Sequence, residues 1–189
     1  MVVSVDVIHT FKYPLEFVVN THFTKYPNDK EKYVQKIDTV EQSFDKDSGV
    51  NYKKRIATCH NVVPSVLRLI SVLNVKEFLL EEKAWQDAKK RSLYLKSRNL
   101  TWCKYANMWE ESKFGPSPEN PNWTQLKQHG VIDIQGLGAF GRVIEMFAEK
   151  FLHAGVKRGL GIMEDLLLER YQAEIGEIKD RKFKGHSEE

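Results

Sequence analysis

The sequence has no apolar run approaching the roughly 20 residues that a helix needs to cross a bilayer. It also has only two cysteines among 189 residues, Cys59 and Cys103, and they form neither a metal-ligand spacing nor a disulfide framework. Spacing alone does not decide whether they pair, and two free, half-buried thiols are the simpler expectation. The chain is therefore expected to be at most a peripheral membrane protein.

A strong excess of one charge is also missing. Lysine and arginine number 29 against 26 acidic residues, a net charge of +3. This balance permits contact with anionic lipid but lacks the concentrated basic footprint of a nucleic-acid binder. The alternation in Trp102-Cys103-Lys104-Tyr105 indicates the two faces of a strand more than an RNA-binding surface.

The first six residues contain neither a basic segment nor a continuous apolar one, so they do not resemble a secretory signal. They also lack the arginine-rich amphipathic pattern of a mitochondrial presequence. Taken alone, this favours the cytosol.

Catalytic signatures are missing as well. The six histidines are scattered without a metal-ligand spacing, and there is no Gly-x-Ser-x-Gly elbow. The neighbouring pairs Glu81/Glu82 and Glu110/Glu111 fall on predicted strands, where adjacent side chains point to opposite faces. The sequence therefore predicts no enzyme and no cofactor.

The stretch from Gly136 to Gly141 matches the glycine spacing of a dinucleotide-binding turn. The complete motif also requires a second parallel strand ending in an acidic residue about 20 positions later. Here those positions fall within one long predicted helix. These glycines therefore indicate a sharp strand-to-helix turn instead.

Period-two alternation and turn signals predict about seven strands. Short connections favour antiparallel pairing, because parallel neighbours need long crossovers. With two helices added, the predicted class is α+β, a curved antiparallel sheet with a helix over its concave face. The predicted strands are 2–11, Tyr33–Phe44, Val50–Cys59, Val75–Trp85, Arg91–Cys103, Tyr105–Phe114 and Trp123–Gln135.

Two helices complete the prediction. Pro14 suits the first turn of a short helix that ends near Tyr26-Pro27-Asn28. A long helix is predicted from Ala139 to Tyr171, and the domain covers 1–175, followed by a charged flexible tail, 176–189. Packing of the long helix against the sheet leaves either a solid core or a cavity. Its predicted apolar stripe is Phe140, Val143, Ile144, Phe147, Phe151, Ile162 and Leu166.

Residues 61–70 are apolar nearly all round, broken mainly by Ser65 and Arg68. A surface helix with one buried face does not have this pattern. The segment is either buried as a plug or forms a lid that meets a membrane or a ligand.

The long helix contains Gly155, Gly159 and Gly161, and each costs about 0.8–1.0 kcal/mol relative to alanine. Either close approach of another backbone or room for a ligand would offset that cost. On the same helix, Lys150 and Lys157 are seven residues apart and project from one face. They suit a phosphate group bound beside an apolar surface, or two lysines at a solvent boundary.

Several motifs, taken in order, resemble the PRELI/MSF1 family over about residues 1–171. They are Lys25-Tyr26-Pro27-Asn28, Lys53-Lys54-Arg55, Asn61-Val62-Val63-Pro64 and Glu119-Asn120-Pro121-Asn122-Trp123-Thr124. The resemblance implies a START-like lipid-transfer fold. It implies transfer of one anionic phospholipid, of the phosphatidic acid or phosphatidylserine class, across the mitochondrial intermembrane space. It also implies a small disulfide-linked helical-hairpin partner protein, and it places the chain in that compartment rather than in the cytosol.

The resemblance also assigns residues to roles. It implies head-group contacts for Lys25, Arg55, Lys150 and Lys157. It implies lid and membrane contacts for Val62, Val63, Pro64, Val66, Leu67, Leu69 and Ile70. One departure is Cys59, which stands where phosphatidic-acid carriers have a lysine. The alternative is therefore an interaction or lipid-sensor protein of the same fold that does not transfer lipid.

Overall fold

The computed structural model describes the backbone of residues 2–135 and 141–185, with side chains for 2–135 and 142–177. The predicted strands and helices are confirmed, with shifts of a few residues at most ends and a larger one at the C-terminal end of the long helix. Two short 3-10 turns, Leu67–Leu69 and Ser71–Leu73, lie between β3 and β4. The elements are β1 (Val2–Phe11), α1 (Leu15–Thr24), β2 (Val34–Asp45), β3 (Val50–His60), β4 (Glu77–Asp87), β5 (Ser92–Asn99), β6 (Ala106–Pro116), β7 (Thr124–Ile134) and α2 (Gly141–Gly185).

The seven strands form one antiparallel sheet in the order β1-β7-β6-β5-β4-β3-β2. From β2 to β7 each strand pairs with the next one along the chain, as the short connections predicted. β1 closes the series by pairing with β7, with Val5 opposite Gly130. The sheet curves around α2, so its inward-facing side chains and the helix enclose an interior.

Two apolar clusters hold α2 against the sheet. One joins α1 to the C-terminal half of α2 and includes Val18 and Leu167, both fully buried. The other joins the N-terminal half of α2 to residues 62–73 and includes Leu67 and Ile144. Burial of this apolar area stabilises the helix at both ends, so its middle does not have to pack flush against the strands.

The long helix differs from its prediction. It begins at Gly141 and ends at Gly185, beyond the predicted end at Tyr171. Its charged C-terminal segment has few core contacts to signal a helix, yet Glu, Lys and Arg are good helix formers. Phe140 and the predicted strand-to-helix turn at 136–140 lie outside the described residues.

The buried face of α2 runs through Ile144, Ala148 and Leu152, which are spaced by four residues. Val143, predicted to belong to that stripe, is 53% exposed because it projects about 100° away from Ile144 around the helix. No described helix has an apolar stretch long enough to cross a membrane.

β5 ends at Asn99, four residues before the predicted end at Cys103. The Asn99 amide donates hydrogen bonds to the carbonyls of Thr101 (2.6 Å) and Ala106 (2.8 Å), which stabilises a turn there. Both cysteines are free, as expected. They are not half-buried, however, because Cys59 is buried and Cys103 is exposed.

Candidate functional site

A cavity of about 310 Å³ lies between α2 and the concave face of the sheet. Gly155 and Gly159 form part of its helical wall, and a Cβ atom added to either glycine would have no heavy atom within 4 Å. The glycines therefore make room rather than allowing another backbone to approach. Of the two interiors that the sequence allowed, the structure has the hollow one.

A row of polar side chains crosses the floor of this cavity from β3 to β6. Arg55 on β3 is paired with Glu82 on β4, Glu82 with Ser97 on β5, and Ser97 with Glu110 on β6. All four face the interior because residues paired across antiparallel strands share one face of the sheet. Each strand thus adds one polar group at the same level.

Arg55 and Glu82 form an ion pair, with Nη2 at 2.6 Å and Nε at 2.9 Å from the same carboxylate oxygen. His22 from α1 lies 3.3 Å from the other oxygen of Glu82. Burial alone would raise the pKa of Glu82, but its contacts with His22 and Arg55 outweigh burial and lower it to about 2. Burial, assisted by the charge of Lys25, lowers the pKa of His22 to about 4. At neutral pH the cluster is therefore a carboxylate paired with Arg55 beside a neutral imidazole.

Lys25 follows the last residue of α1 and lines the cavity. Its Nζ lies 5.0 Å from the centre of the Tyr26 ring, a cation–π contact. Burial lowers its pKa. Among residues 2–135 and 142–177, no carboxylate is within ion-pair distance of this ammonium group. Lys25 is thus a partly buried cation directed at an internal space.

The turn that positions Lys25 is joined to α2 by a second, half-buried ion pair. The Asn28 side chain accepts hydrogen bonds from the backbone amides of Lys30 (2.8 Å) and Glu31 (3.0 Å). Glu31, only 5% exposed, pairs with Arg158 of α2 at 3.2 Å. This contact ties the end of the α1 turn to the glycine-containing part of the helix.

Glu110 lies on β6, on the side of the cavity opposite the Arg55 end of the polar row. Its carboxylate accepts a hydrogen bond from Ser112 (3.1 Å). Burial raises its pKa, and the neighbouring Gln128 amide acts to lower it. No described Lys, Arg or His lies within ion-pair distance of it.

A second, almost wholly apolar chamber of about 90 Å³ adjoins the first under residues 62–73. Met108 and Phe151 line both spaces, so a cavity with charged lining residues and an apolar chamber lie side by side in the interior. Other side chains around the apolar chamber are Val62, Val63, Leu67, Leu73, Phe78, Trp102, Ile132, Ile134, Ile144 and Phe147.

The predicted lid has one buried face and one exposed face. The sequence offered two interpretations of this segment, a buried plug and an exposed lid, and each describes one of these faces. Val63 and Leu67 are buried over the apolar chamber, whereas Val66 is 67% and Leu69 85% exposed. The Arg68 guanidinium donates hydrogen bonds to two carbonyls within the segment, those of Val63 (2.7 Å) and Asn61 (2.9 Å). The segment is therefore self-supporting, with apolar residues both on the chamber and on the outer surface.

The structure separates the four predicted head-group residues. Lys25 lines the cavity, whereas Arg55 is buried beside it and bonded to Glu82. Lys150 and Lys157 are exposed on the outer surface of α2 and do not line either space. The two helix lysines share a face, as their spacing predicted, but that face is turned to solvent.

Sequence reasoning did not identify Glu82, Glu110 or Arg158. The acidic neighbours Glu81/Glu82 and Glu110/Glu111 do point to opposite faces, since Glu81 and Glu111 are paired with cations on the convex side. One member of each pair therefore reaches the same cavity from a different strand. The period-two pattern of β4 could have identified Glu82, because it is an even number of residues from the inward-facing Phe78 and Ala84 and therefore shares their face.

Comparisons with known proteins agree with this architecture. A sequence model of the PRELI-like family matches residues 16–174. The chain is 35% identical over 112 residues to a UPS-like protein of Schizosaccharomyces pombe, covering 59% of each chain. It is 27% identical over 160 residues to the slowmo homolog of Dictyostelium discoideum, covering 85% of this chain and 69% of that one.

Among solved structures, a START superfamily protein from Mycobacterium smegmatis matches with a TM-score of 0.55 at 8% identity. That match covers 88% of this chain and 97% of the other. At this identity the likeness establishes the fold alone, which is START-like. A START-like fold in a PRELI-like sequence is consistent with lipid binding or transfer.

Proposed function

We propose that this chain, which belongs to the PRELI-like family, binds one anionic phospholipid in its interior and carries it between membranes. The observation that carries the proposal is the Lys25 ammonium, which faces a cavity without a protein counter-ion among the described residues. A buried cation of this kind is unfavourable until an anion reaches it. A lipid phosphate supplies that anion and forms a charge-assisted hydrogen bond.

The charged cavity and the apolar chamber beside it give the bound lipid a direction. The phosphate lies by Lys25, and the acyl chains extend past Met108 and Phe151 into the apolar chamber under the lid. Each methylene that leaves water there contributes about 0.8 kcal/mol. Because Val63 and Leu67 cover that chamber, uptake and release require the lid to move.

The outer face of the lid supports a membrane-docking step. Val66 and Leu69 are exposed apolar side chains that can enter the interfacial region of a bilayer. Lys150 and Lys157 on the surface of α2 attract anionic lipid at about 1 kcal/mol each. In this mechanism the helix lysines act at the membrane during uptake and release, and Lys25 acts on the bound head group.

We place this activity in the mitochondrial intermembrane space, together with a small disulfide-linked helical-hairpin partner protein. Both proposals rest on the resemblance to the PRELI/MSF1 family. The lipid is of the phosphatidic acid or phosphatidylserine class. Binding and release suffice for transport, so the proposed mechanism involves no covalent catalysis.

The second candidate is an interaction or lipid-sensor protein that binds lipid without transferring it. Cys59 favours it, because this thiol is 2% exposed and burial raises its pKa to about 11. It is therefore neutral where the family resemblance expects a lysine. The head-group end has one cation fewer than that resemblance implies.

Transfer of a fluorescent phospholipid between vesicles tests the proposal. Gly159→Leu places a side chain in the cavity, and we expect it to abolish transfer while the protein stays folded, since leucine favours helix over glycine by nearly 1 kcal/mol. Gly161→Leu is the matched control, because Gly161 is exposed on the same helix. Equal transfer by both variants would show that the cavity does not carry the lipid. Lipid binding without transfer by the wild-type protein would favour the sensor.

A further inference from the structure

Lys25 and Glu110 carry opposite charges, line the same cavity and are not paired with each other. Each is close enough to affect the titration of the other, although burial has the larger effect on both. Within the described part of the chain, neither has an opposite charge at ion-pair distance. The cavity thus presents one positive and one negative group to a ligand.

The remaining charged side chains of the cavity wall are already paired. The charge of each of these groups is compensated by its partner in the protein. The pairs are Glu82 with Arg55 (2.6 Å) and Glu31 with Arg158 (3.2 Å). Arg98 also borders the cavity, but its guanidinium pairs with Glu81 on the convex side of the sheet (2.8 Å). Lys25 and Glu110 are therefore the charged groups that a ligand would contact among the described residues.

A ligand with phosphate charge alone fits this arrangement poorly. Its phosphate satisfies Lys25 but brings further negative charge towards the Glu110 carboxylate. A head group that also carries an ammonium places a positive charge against Glu110 while its phosphate meets Lys25.

Building on the proposed function, we propose that the preferred phospholipid carries a primary ammonium in its head group. Lys25 binds the phosphate and Glu110 accepts hydrogen bonds from the ammonium. Glu110 is then the residue that distinguishes amine-bearing phospholipids from phosphatidic acid.

The surroundings of Glu110 suit this role. Ser112 and Gln128 are neutral donors, so they orient the carboxylate without cancelling its charge. A carboxylate has about four acceptor sites, and two neutral donors leave some of them for a ligand. Burial alone raises the pKa of Glu110, and a bound ammonium would oppose that shift and keep the group ionised.

Binding of short-chain phospholipids with identical acyl groups to the purified full chain tests the inference. We expect phosphatidylethanolamine and phosphatidylserine to bind at least about tenfold more tightly than phosphatidic acid or phosphatidylglycerol, the size of one charge-assisted hydrogen bond. Phosphatidylcholine should bind more weakly than phosphatidylethanolamine, because its quaternary ammonium has no N–H donor. These comparisons need no variant.

Glu110→Gln keeps the shape of the side chain and removes its charge. We expect it to abolish the preference by weakening binding of the two amine-bearing lipids about tenfold, without weakening that of phosphatidic acid. Glu111→Gln is the matched control, because Glu111 faces the convex side and pairs with Lys96 at 2.9 Å. This control should bind all lipids as the wild type does.

The outcomes separate the two proposals. Equal affinity of the wild type for all head groups would overturn the inference while phospholipid binding still stands. An equal loss for every lipid in Glu110→Gln would overturn it too, since that result indicates a general effect on the cavity. Absence of binding to every phospholipid would reject the proposed function and, with it, the role of Glu110.

Discussion

Arg55 and Glu82 lie directly opposite each other on β3 and β4, and the guanidinium donates two hydrogen bonds to one carboxylate oxygen, at 2.6 and 2.9 Å. A third donor group of Arg55, Nη1, bonds the carbonyl of Phe23 at the end of α1 (3.3 Å). The pair therefore links the sheet to α1 immediately before Lys25. Its position makes Arg55 a residue that supports the cavity wall.

Replacing Arg55 by methionine should lower the free energy of unfolding by about 3–5 kcal/mol, because Glu82 is left buried without its cation. The double variant Arg55→Met/Glu82→Met should recover much of that loss, since it leaves no unpaired charge. Urea denaturation of the single and double variants measures both effects. Lys96→Met, which breaks the exposed Lys96–Glu111 pair, should cost less than about 1 kcal/mol. A similar cost for both single variants would contradict the role given to Arg55.

Reversing the charge of Lys150 and Lys157 should separate lipid binding from membrane docking. Loss of two surface cations weakens attraction to an anionic membrane by roughly 2 kcal/mol, or about thirtyfold. We expect Lys150→Glu/Lys157→Glu to lose vesicle-to-vesicle transfer while binding a soluble short-chain lipid normally. Lys113→Glu/Lys127→Glu makes the same charge change on the convex face, where the two residues pair in register, and should transfer normally. Unimpaired transfer by the helix variant would show that Lys150 and Lys157 have no role in membrane docking.

The exposed lid residue Leu69 should contribute to membrane binding without stabilising the fold. Leu69→Asp places a charge at a side chain that is 85% exposed, so stability should change by less than about 0.5 kcal/mol. Binding to vesicles should fall about tenfold or more, because a leucine that enters the bilayer interface contributes about 1.5–3 kcal/mol. Flotation with vesicles measures this. Ile8→Asp, on the exposed side of β1, is the control and should leave flotation unchanged.

Acid should destabilise the protein through His22, which faces Lys25, Arg55 and Glu82. Its pKa is about 4 in the folded state against 6.5 for the ordinary side chain, so the unfolded chain binds more protons between those values. The stabilisation is complete above pH 6.5 and is lost as the pH falls through about 4. By the same reasoning, the stabilisation that Glu82 contributes is lost at lower pH, as the pH falls from 4.5 to about 2.

We therefore expect the free energy of unfolding to fall by on the order of 1–3 kcal/mol from neutral pH to about pH 4. His22→Gln should reduce this dependence of the free energy of unfolding on pH. His129→Gln should not, because His129 lies at the exposed surface beside Asp6. Denaturation curves at several pH values measure the slope, and equal slopes for His22→Gln and wild type would rule out His22 as its source.

Alternation and turn signals were sufficient to predict seven strands and their antiparallel pairing. The prediction failed where a local signal was weak. β5 ends early because the Asn99 side chain stabilises a turn, and α2 continues through a charged segment that contributes little to the core.

The site was predictable only in part. Lys25 was identified through the family resemblance, and the glycines of α2 through their cost in a helix. Glu82 and Glu110 come from strands separated in sequence, and only their register places both on one cavity floor. Arg158 was missed because a charged residue on a long helix ordinarily faces solvent.

Local residue patterns thus determined the strands, the helices and the apolar character of the lid, because these depend on side-chain periodicity along a single segment. The tertiary structure decided which charges are paired and which are left facing the cavity. Burial and ion pairing depend on distances between segments that lie far apart in the chain. Arg55 and Lys25 differ for this reason: Arg55 meets a carboxylate on the neighbouring strand, whereas Lys25 faces the space that the glycines of α2 leave open.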